Sequence, residues 1–204
     1  LTGKAGVCLA TLGPGATNLI TGVADANMDH SPVVAIAGQA STHRLHKESH
    51  QVLDLEQIFQ PITKYSSRLL SPDIINEVVR KAFKVAQTEK TGACFIEFPE
   101  NIAEMEIDEQ PLPVKHAAMP EPPREKVEQA AKVISDAKNP IILAGNGVVR
   151  NKAWQQLADF AERLRIPVAN TFMAKGVIPF KHPMVLGSAG LQANDYISCG
   201  FSKA

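Results

Sequence analysis

The sequence predicts an α/β protein made of two parallel-sheet units. Three observations carry this. Runs apolar on both faces flank a segment with helical spacing. A proline-dense stretch divides the chain. Beyond it a strand–helix–strand pattern starts again.

The first strand is "GVCLAT", Gly6 to Thr11, followed by the turn "LGPGATN". Ala16 to Met28 then places Leu19, Ile20, Val23 and Ala24 at helical spacing, and Asp29, Ser31 and Pro32 end that helix. The second strand, "VVAIAG", spans Val33 to Gly38. Two fully apolar strands joined through a helix belong to a parallel sheet covered on both faces. Gln39 to Tyr65 reads as polar and irregular, with Lys64 and Tyr65 opening a strand-like segment. Ser71 is an N-cap candidate with Pro72 at the first helical position. Ile74, Ile75, Val78, Val79, Ala82, Phe83 and Val85 form the apolar stripe of the helix that follows. Gly92 breaks it, and "ACFIEF", Ala93 to Phe98, is the next strand.

Residues 109–123 hold Pro111, Pro113, Pro120, Pro122 and Pro123. Such a density suits neither a helix nor a central strand, so the stretch is expected to be a semi-extended linker. After it, Arg124 to Lys138 is predicted as a helix with Val127, Ala130, Ala131, Val133 and Ile134 inward. "PIILAGNGV" is a strand entering a glycine turn, Ala153 to Leu164 a second helix and "IPVANTF" another strand. Lys175 to Gly190 reads as a connection. Both units are Rossmann-like in pattern.

Of the 204 residues, 45% are hydrophobic and 21% charged, enough for a sizeable core. A formal net charge of zero argues against a dedicated nucleic-acid binder, and no apolar run is long enough to span a bilayer. Cys8, Cys94 and Cys199 are scattered, which points to buried thiols in a reducing cytoplasm. The chain opens without Met and closes where a further element is expected, so it reads as a fragment of a longer enzyme.

Four groups of residues are candidates for chemistry. Gly145-Asn146-Gly147 follows a strand, like a dinucleotide fingerprint, but Arg150 stands where the third glycine belongs; an ordinary βα turn is the alternative. His43, His46 and His50 are spaced for one helix face and for a metal, yet Arg44 and Lys47 oppose a cation, and solvated histidines are the alternative. Asp25 and Asp29 lie one helical turn apart and suit either acid–base work or a solvated face. Gly13 and Gly15 permit a tight turn and close approach, Pro14 stiffens it, and the amide of Asn18 is able to meet a heterocycle edge or cap the helix locally. This turn lies at the carboxyl end of a parallel strand, the usual ligand side of an open α/β sheet.

"GKAGVCLATLGPGATNLITGVADANMDHSPVVAIAGQ" resembles the pyrimidine-binding domain of thiamine-diphosphate enzymes of the acetolactate synthase group. The likeness continues through "HQVLDLEQIFQPITKYS" and "GACFIEFPENI", and the part from Arg124 resembles the start of the family's central domain. It implies residues 1–108 as the C-terminal part of the pyrimidine-binding domain, 109–123 as the linker and 124–204 as the N-terminal part of the central domain. It further implies cofactor contacts at Gly13, Pro14, Gly15, Asn18 and Gln39, and an active-site role for Gln51, with His50 beside it, as the polar group for a developing alkoxide.

The implied activity is decarboxylation of pyruvate on thiamine diphosphate and ligation of the two-carbon unit to a second 2-oxoacid. The resemblance implies Mg²⁺ held by residues outside this chain, no metal ligand within it, and a homodimer or tetramer with a possible regulatory small subunit. FAD stays open. His50 stands where flavin-containing biosynthetic enzymes carry Phe, and Gly190 to Tyr196 lacks their His-Gly pattern, whereas Ala16 to Gln39 reads like that branch. Two alternatives remain: another thiamine-diphosphate 2-oxoacid enzyme (decarboxylase, oxidase or sulfoacetaldehyde acetyltransferase), or a noncatalytic nucleotide-binding module using the Gly145 turn.

Overall fold

The computed structural model describes residues 2–108, 110–113 and 120–204. Its contacts divide the chain into two compact units, Leu1–Met119 and Pro120–Ala204. Of the expected linker, Glu109 and residues 114–119 lie outside the described residues, and the rest of it forms neither helix nor strand.

In the first unit, four strands, β1 (Gly6–Ala10), β2 (Val33–Gln39), β3 (Tyr65–Arg68) and β4 (Ala93–Pro99), form one sheet in the order β1-β2-β4-β3. Every pairing is parallel. Because side chains alternate along a strand, Ala93, Phe95 and Glu97 face one side of β4 and Cys94 and Ile96 the other. The first side packs on α1 (Pro14–Thr17), α2 (Ile20–Met28) and α3 (Leu55–Phe59) through Ala16, Val23, Leu55 and Phe59. There the Phe59 and Phe95 rings stack with centroids 3.9 Å apart. The second side packs on α4 (Ile75–Gln87) through Val78 and Ala82 of the predicted stripe and through Ala86. Ser71 caps the short turn that opens α4, its hydroxyl accepting from the Asp73 amide. Lys64 Nζ donates to the carbonyls of Val85, Thr88 and Lys90 and so holds the far end of the same helix.

Two local expectations change. The helix predicted over Ala16 to Met28 is two, broken where Leu19 N–H bonds to the Ala16 carbonyl in a tighter turn. The stretch read as irregular contains α3, capped by Asp54, whose carboxylate accepts from the Gln57 amide. Val23 of α2 is buried, and Leu19 packs against the same core. α5 (Glu100–Ala103) follows β4 directly.

The second unit has a three-stranded parallel sheet of β5 (Ile142–Ala144), β6 (Val168–Thr171) and β7 (Val185–Ala189), in that order. β7 falls inside the stretch read as a connection; its five residues, set among glycines and prolines, carry too weak a pattern to stand out. Around the sheet lie α6 (Arg124–Asp136), α7 (Asn146–Arg150), α8 (Trp154–Leu164) and α9 (Asp195–Ser198). The inward stripe predicted for α6 is not buried: Val127 is 51% and Val133 70% exposed. The periodicity made a helix, but no element of this unit closes over it. Asp195 accepts from the amides of Gln192, Leu191 and Gly190, which hold its carboxyl below the usual range.

Candidate active site at the carboxyl edge of the first sheet

The ends of four parallel strands gather the chemistry-bearing residues of the first unit. β1 ends in the turn Gly13-Pro14-Gly15. β2 ends at Gln39 and continues into a long strap, residues 40–54. β3 ends at Arg68, and β4 ends beyond Glu97.

Gly13 has a left-handed φ of +56° and is buried against the strap. A Cβ built on it would stand 2.8 Å from both Gln51 Cβ and Gln51 O, so no other residue fits. Gln51 itself has a φ of +60°, rare for a residue with a side chain, and its side chain is exposed. The structure therefore brings together the glycine turn and the glutamine that the sequence singled out separately. Pro14 occupies the first position of α1 and is exposed. A Cβ on Gly15 would meet Thr11 Cγ2 at 2.5 Å. Asn18 is exposed and sits at the C-terminal end of α1, not near its start. His50 and Gln51 are consecutive turn residues, both exposed.

Gln39 lies elsewhere. It is 2% exposed, and its amide is spent internally. Nε2 donates to Leu53 O at 2.8 Å and to Glu97 Oε1 at 2.5 Å, while Oε1 accepts from the Ala40 amide at 2.9 Å. Glu97 is fully buried and also accepts from the Glu56 amide at 3.1 Å. Arg68 Nε stands 3.0 Å from Glu97 Oε2 as an ion pair, without hydrogen-bond alignment, and Arg68 NH2 pairs with Asp54 at 3.1 Å. Burial pushes the Glu97 carboxyl up, opposed by Gln39, Arg68 and the Glu56 amide. Burial also works against the Arg68 charge, yet the neighbouring carboxylate of Glu97, with those of Asp54 and Glu56, holds that guanidinium above its usual range.

Glu97 and Arg68 escaped the sequence reading. The available signal was a carboxylate inside the apolar run "ACFIEFP", a residue type almost never buried unless paired.

The strap is pinned at its start as well. Ser41 N–H donates to Glu100, Thr42 and Asn101 exchange two hydrogen bonds, and Arg44 bridges Ser49 and Glu100. A recess of about 720 Å³ lies between strap residues 45–54 and Arg68; neither Gly13 nor Gln51 lines it.

The other candidates part company. His43 and His46 are exposed, and among the described residues no three His, Cys, Asp or Glu side chains stand together as metal ligands. Asp29 ends α2, and Asp25 is exposed. The Gly145 turn leads into a five-residue helix in which the Asn146 amide, turned over to suit its neighbours, donates to Met173 O and accepts from Arg150. The three cysteines are free; burial pushes the Cys94 thiol up to about 11.

Two known domains match the chain. The N-terminal TPP-binding domain of thiamine pyrophosphate enzymes matches residues 1–58, and their central domain matches residues 127–204. The chain belongs to the thiamine pyrophosphate enzyme family. Among curated relatives, a "Probable acetolactate synthase large subunit" of Methanocaldococcus jannaschii is 39% identical over 197 residues, covering 93% of this chain and 33% of the relative. An "Acetolactate synthase" of Mycobacterium leprae is 39% identical over 196 residues, covering 94% and 31%. A Bacillus subtilis protein whose name mentions only thiamine pyrophosphate is 38% identical over 197 residues, covering 93% and 33%. The chain thus spans about a third of the length of the curated relatives it matches.

The donor set at the turn fits the ring part of the family's cofactor. Residues 11–18 carry no ionised side chain, and the polar side chains offered are neutral: the Thr11 hydroxyl and the amides of Asn18 and Gln51, the Thr17 hydroxyl being bonded to the Pro14 carbonyl. That chemistry suits the edge of a planar heterocycle. It does not suit a diphosphate or its metal ion. No helix among the described residues is long and apolar enough to cross a membrane.

Proposed function

We propose that this chain supplies the aminopyrimidine side of a thiamine-diphosphate site in an acetolactate synthase, a transferase that joins the two-carbon unit of pyruvate to a second 2-oxoacid. Residues 1–108 then belong to the pyrimidine-binding domain, 109–123 to a linker and 124–204 to the central domain. The observation that carries the reading is the seating of Gly13 on Gln51, which puts the turn assigned to the cofactor beside the amide assigned to the substrate. The names of the relatives agree with it.

Thiamine diphosphate, when bound, supplies the nucleophilic carbon and the electron sink for decarboxylation. The residues of this chain bind and orient. Gly13, Pro14 and Gly15 shape a wall that tolerates close approach, Asn18 offers an amide to the ring edge, and Gln51 offers a donor to an oxygen that gains negative charge. His50 is the second candidate for that donor. Gln39 acts from behind, through its internal bonds. Mg²⁺, any FAD, a homodimer or tetramer, a regulatory small subunit and a cytoplasmic location belong to the same proposal.

The test is a pair of assays on the full-length protein with pyruvate, one for acetolactate and one for acetaldehyde. Acetolactate should dominate, and Gln51→Ala should lower its kcat about 100-fold. Acetaldehyde as the main product would make the protein a decarboxylase instead. Unchanged carboligation after replacing both His50 and Gln51 would remove them from the site.

A further inference from the structure

We propose that Glu97 is a positioning residue for Gln51, the hub that holds the substrate-facing strap in register; this rests on the role proposed for Gln51. Three features of the site lead there.

The first is the saturation of Glu97. Each group facing its carboxylate is a donor or a cation: Gln39 Nε2 on Oε1, the Glu56 amide and Arg68 on Oε2. An ionised carboxylate satisfies every member of this ring, since both of its oxygens only accept.

The second is what those donors hold. Gln39 Nε2 has two hydrogens and uses both, one on Glu97 and one on the carbonyl of Leu53. With Oε1 occupied by the Ala40 amide, the side chain cannot rotate without leaving a buried group unpaired. Arg68 likewise reaches from Glu97 to Asp54. One carboxylate therefore tethers residues 53 and 54 by two routes and 56 directly.

The third is the state of Gln51, two residues before Leu53. Its left-handed backbone persists only where the surroundings over-determine it. Gly13 presses on one side of Gln51, and the tether at 53 and 54 fixes the strap on the other. A buried charge pair of this kind is a poor source of stability compared with an apolar replacement, so its use here is to select one arrangement.

The experiment uses full-length protein carrying Glu97→Gln, Gln39→Met or Gln51→Ala, and the double variant Glu97→Gln with Gln51→Ala. Hydrogen exchange without cofactor should quicken about tenfold or more at residues 49–54 in both tether variants, and stay unchanged at Ala35 and Ile96. In turnover, Glu97→Gln should lower kcat about tenfold with the KM for pyruvate within about twofold, as for groups that orient a catalytic partner. In the Gln51→Ala background it should cause no further loss, because the two residues act as one unit.

Multiplying losses in the double variant, or unchanged exchange at 49–54 in a folded tether variant, would overturn the proposal. Should Glu97→Gln fail to fold, Gln39→Met cuts the Leu53 link with little change in volume and carries the same readouts. Full activity in Gln51→Ala alone would sink the role given to Gln51, whereas the exchange measurement reports on the tether by itself.

Discussion

Both units contain a strand that runs through a Gly-x-Gly turn into a helix, and the two turns differ in what stands opposite them. After β1, Gly13 is left-handed and lies so close to Gln51 that a single added carbon collides with backbone. After β5, Gly145 has φ −98°, and a carbon added there or at Gly147 meets nothing within 4 Å. The same spacing is a necessity in one place and a convenience in the other. A glycine motif reports close approach only when the approaching segment is known.

The largest effect should come from breaking the tight turn. Gly13→Ala combines a positive φ with a clash on Gln51, and should destabilise the first unit by about 3 kcal/mol, read as a lower urea midpoint. Next comes Gln51→Gly, which relieves the left-handed backbone opposite. It should raise stability by about 1 kcal/mol while lowering carboligation turnover, separating strain kept for function from strain kept for folding.

The loose turn should answer in the opposite sense. Gly147→Ala lies inside α7 and should stabilise by about 0.5 kcal/mol, with Gly145→Ala close to neutral in the same denaturation measurement. Equal costs at Gly13 and Gly147 would erase the distinction between the turns.

The smallest effect is a slope with pH. The Glu97 pKa is raised in the folded protein, so from about pH 4.3 upward the native state holds more protons than the unfolded one. Its contribution to stability is greatest below that pH and declines as pH rises through the folded value. Glu97→Gln should flatten this part of a stability–pH curve.

Much of the fold was legible because its signals are local. Apolar runs marked β1, β2, β4 and β6, and capping residues marked α4. β7 and α3 were missed, being five residues each and framed by turn chemistry. α4 and α6 show the limit of periodicity: each has thirteen residues and an apolar stripe, yet Val78 is buried and Val133 is 70% exposed. In the candidate site, the tight turn at Gly13 and Gly15 was visible from residue type, and Gln51 was proposed from resemblance. The reassignment of Gln39 to an internal tether, and the existence of Glu97 as its anchor, were not.

By itself the sequence determined most of the longer strands and helices, the glycine turn after β1 and the kind of chemistry on offer, since these follow from backbone preference and spacing over a few residues. Only the tertiary structure decided which glycine has a neighbour pressed on it and which carboxylate is buried under two donors and a guanidinium. Those facts depend on segments far apart in the chain meeting at the edge of one sheet, and no short-range preference encodes what will stand opposite.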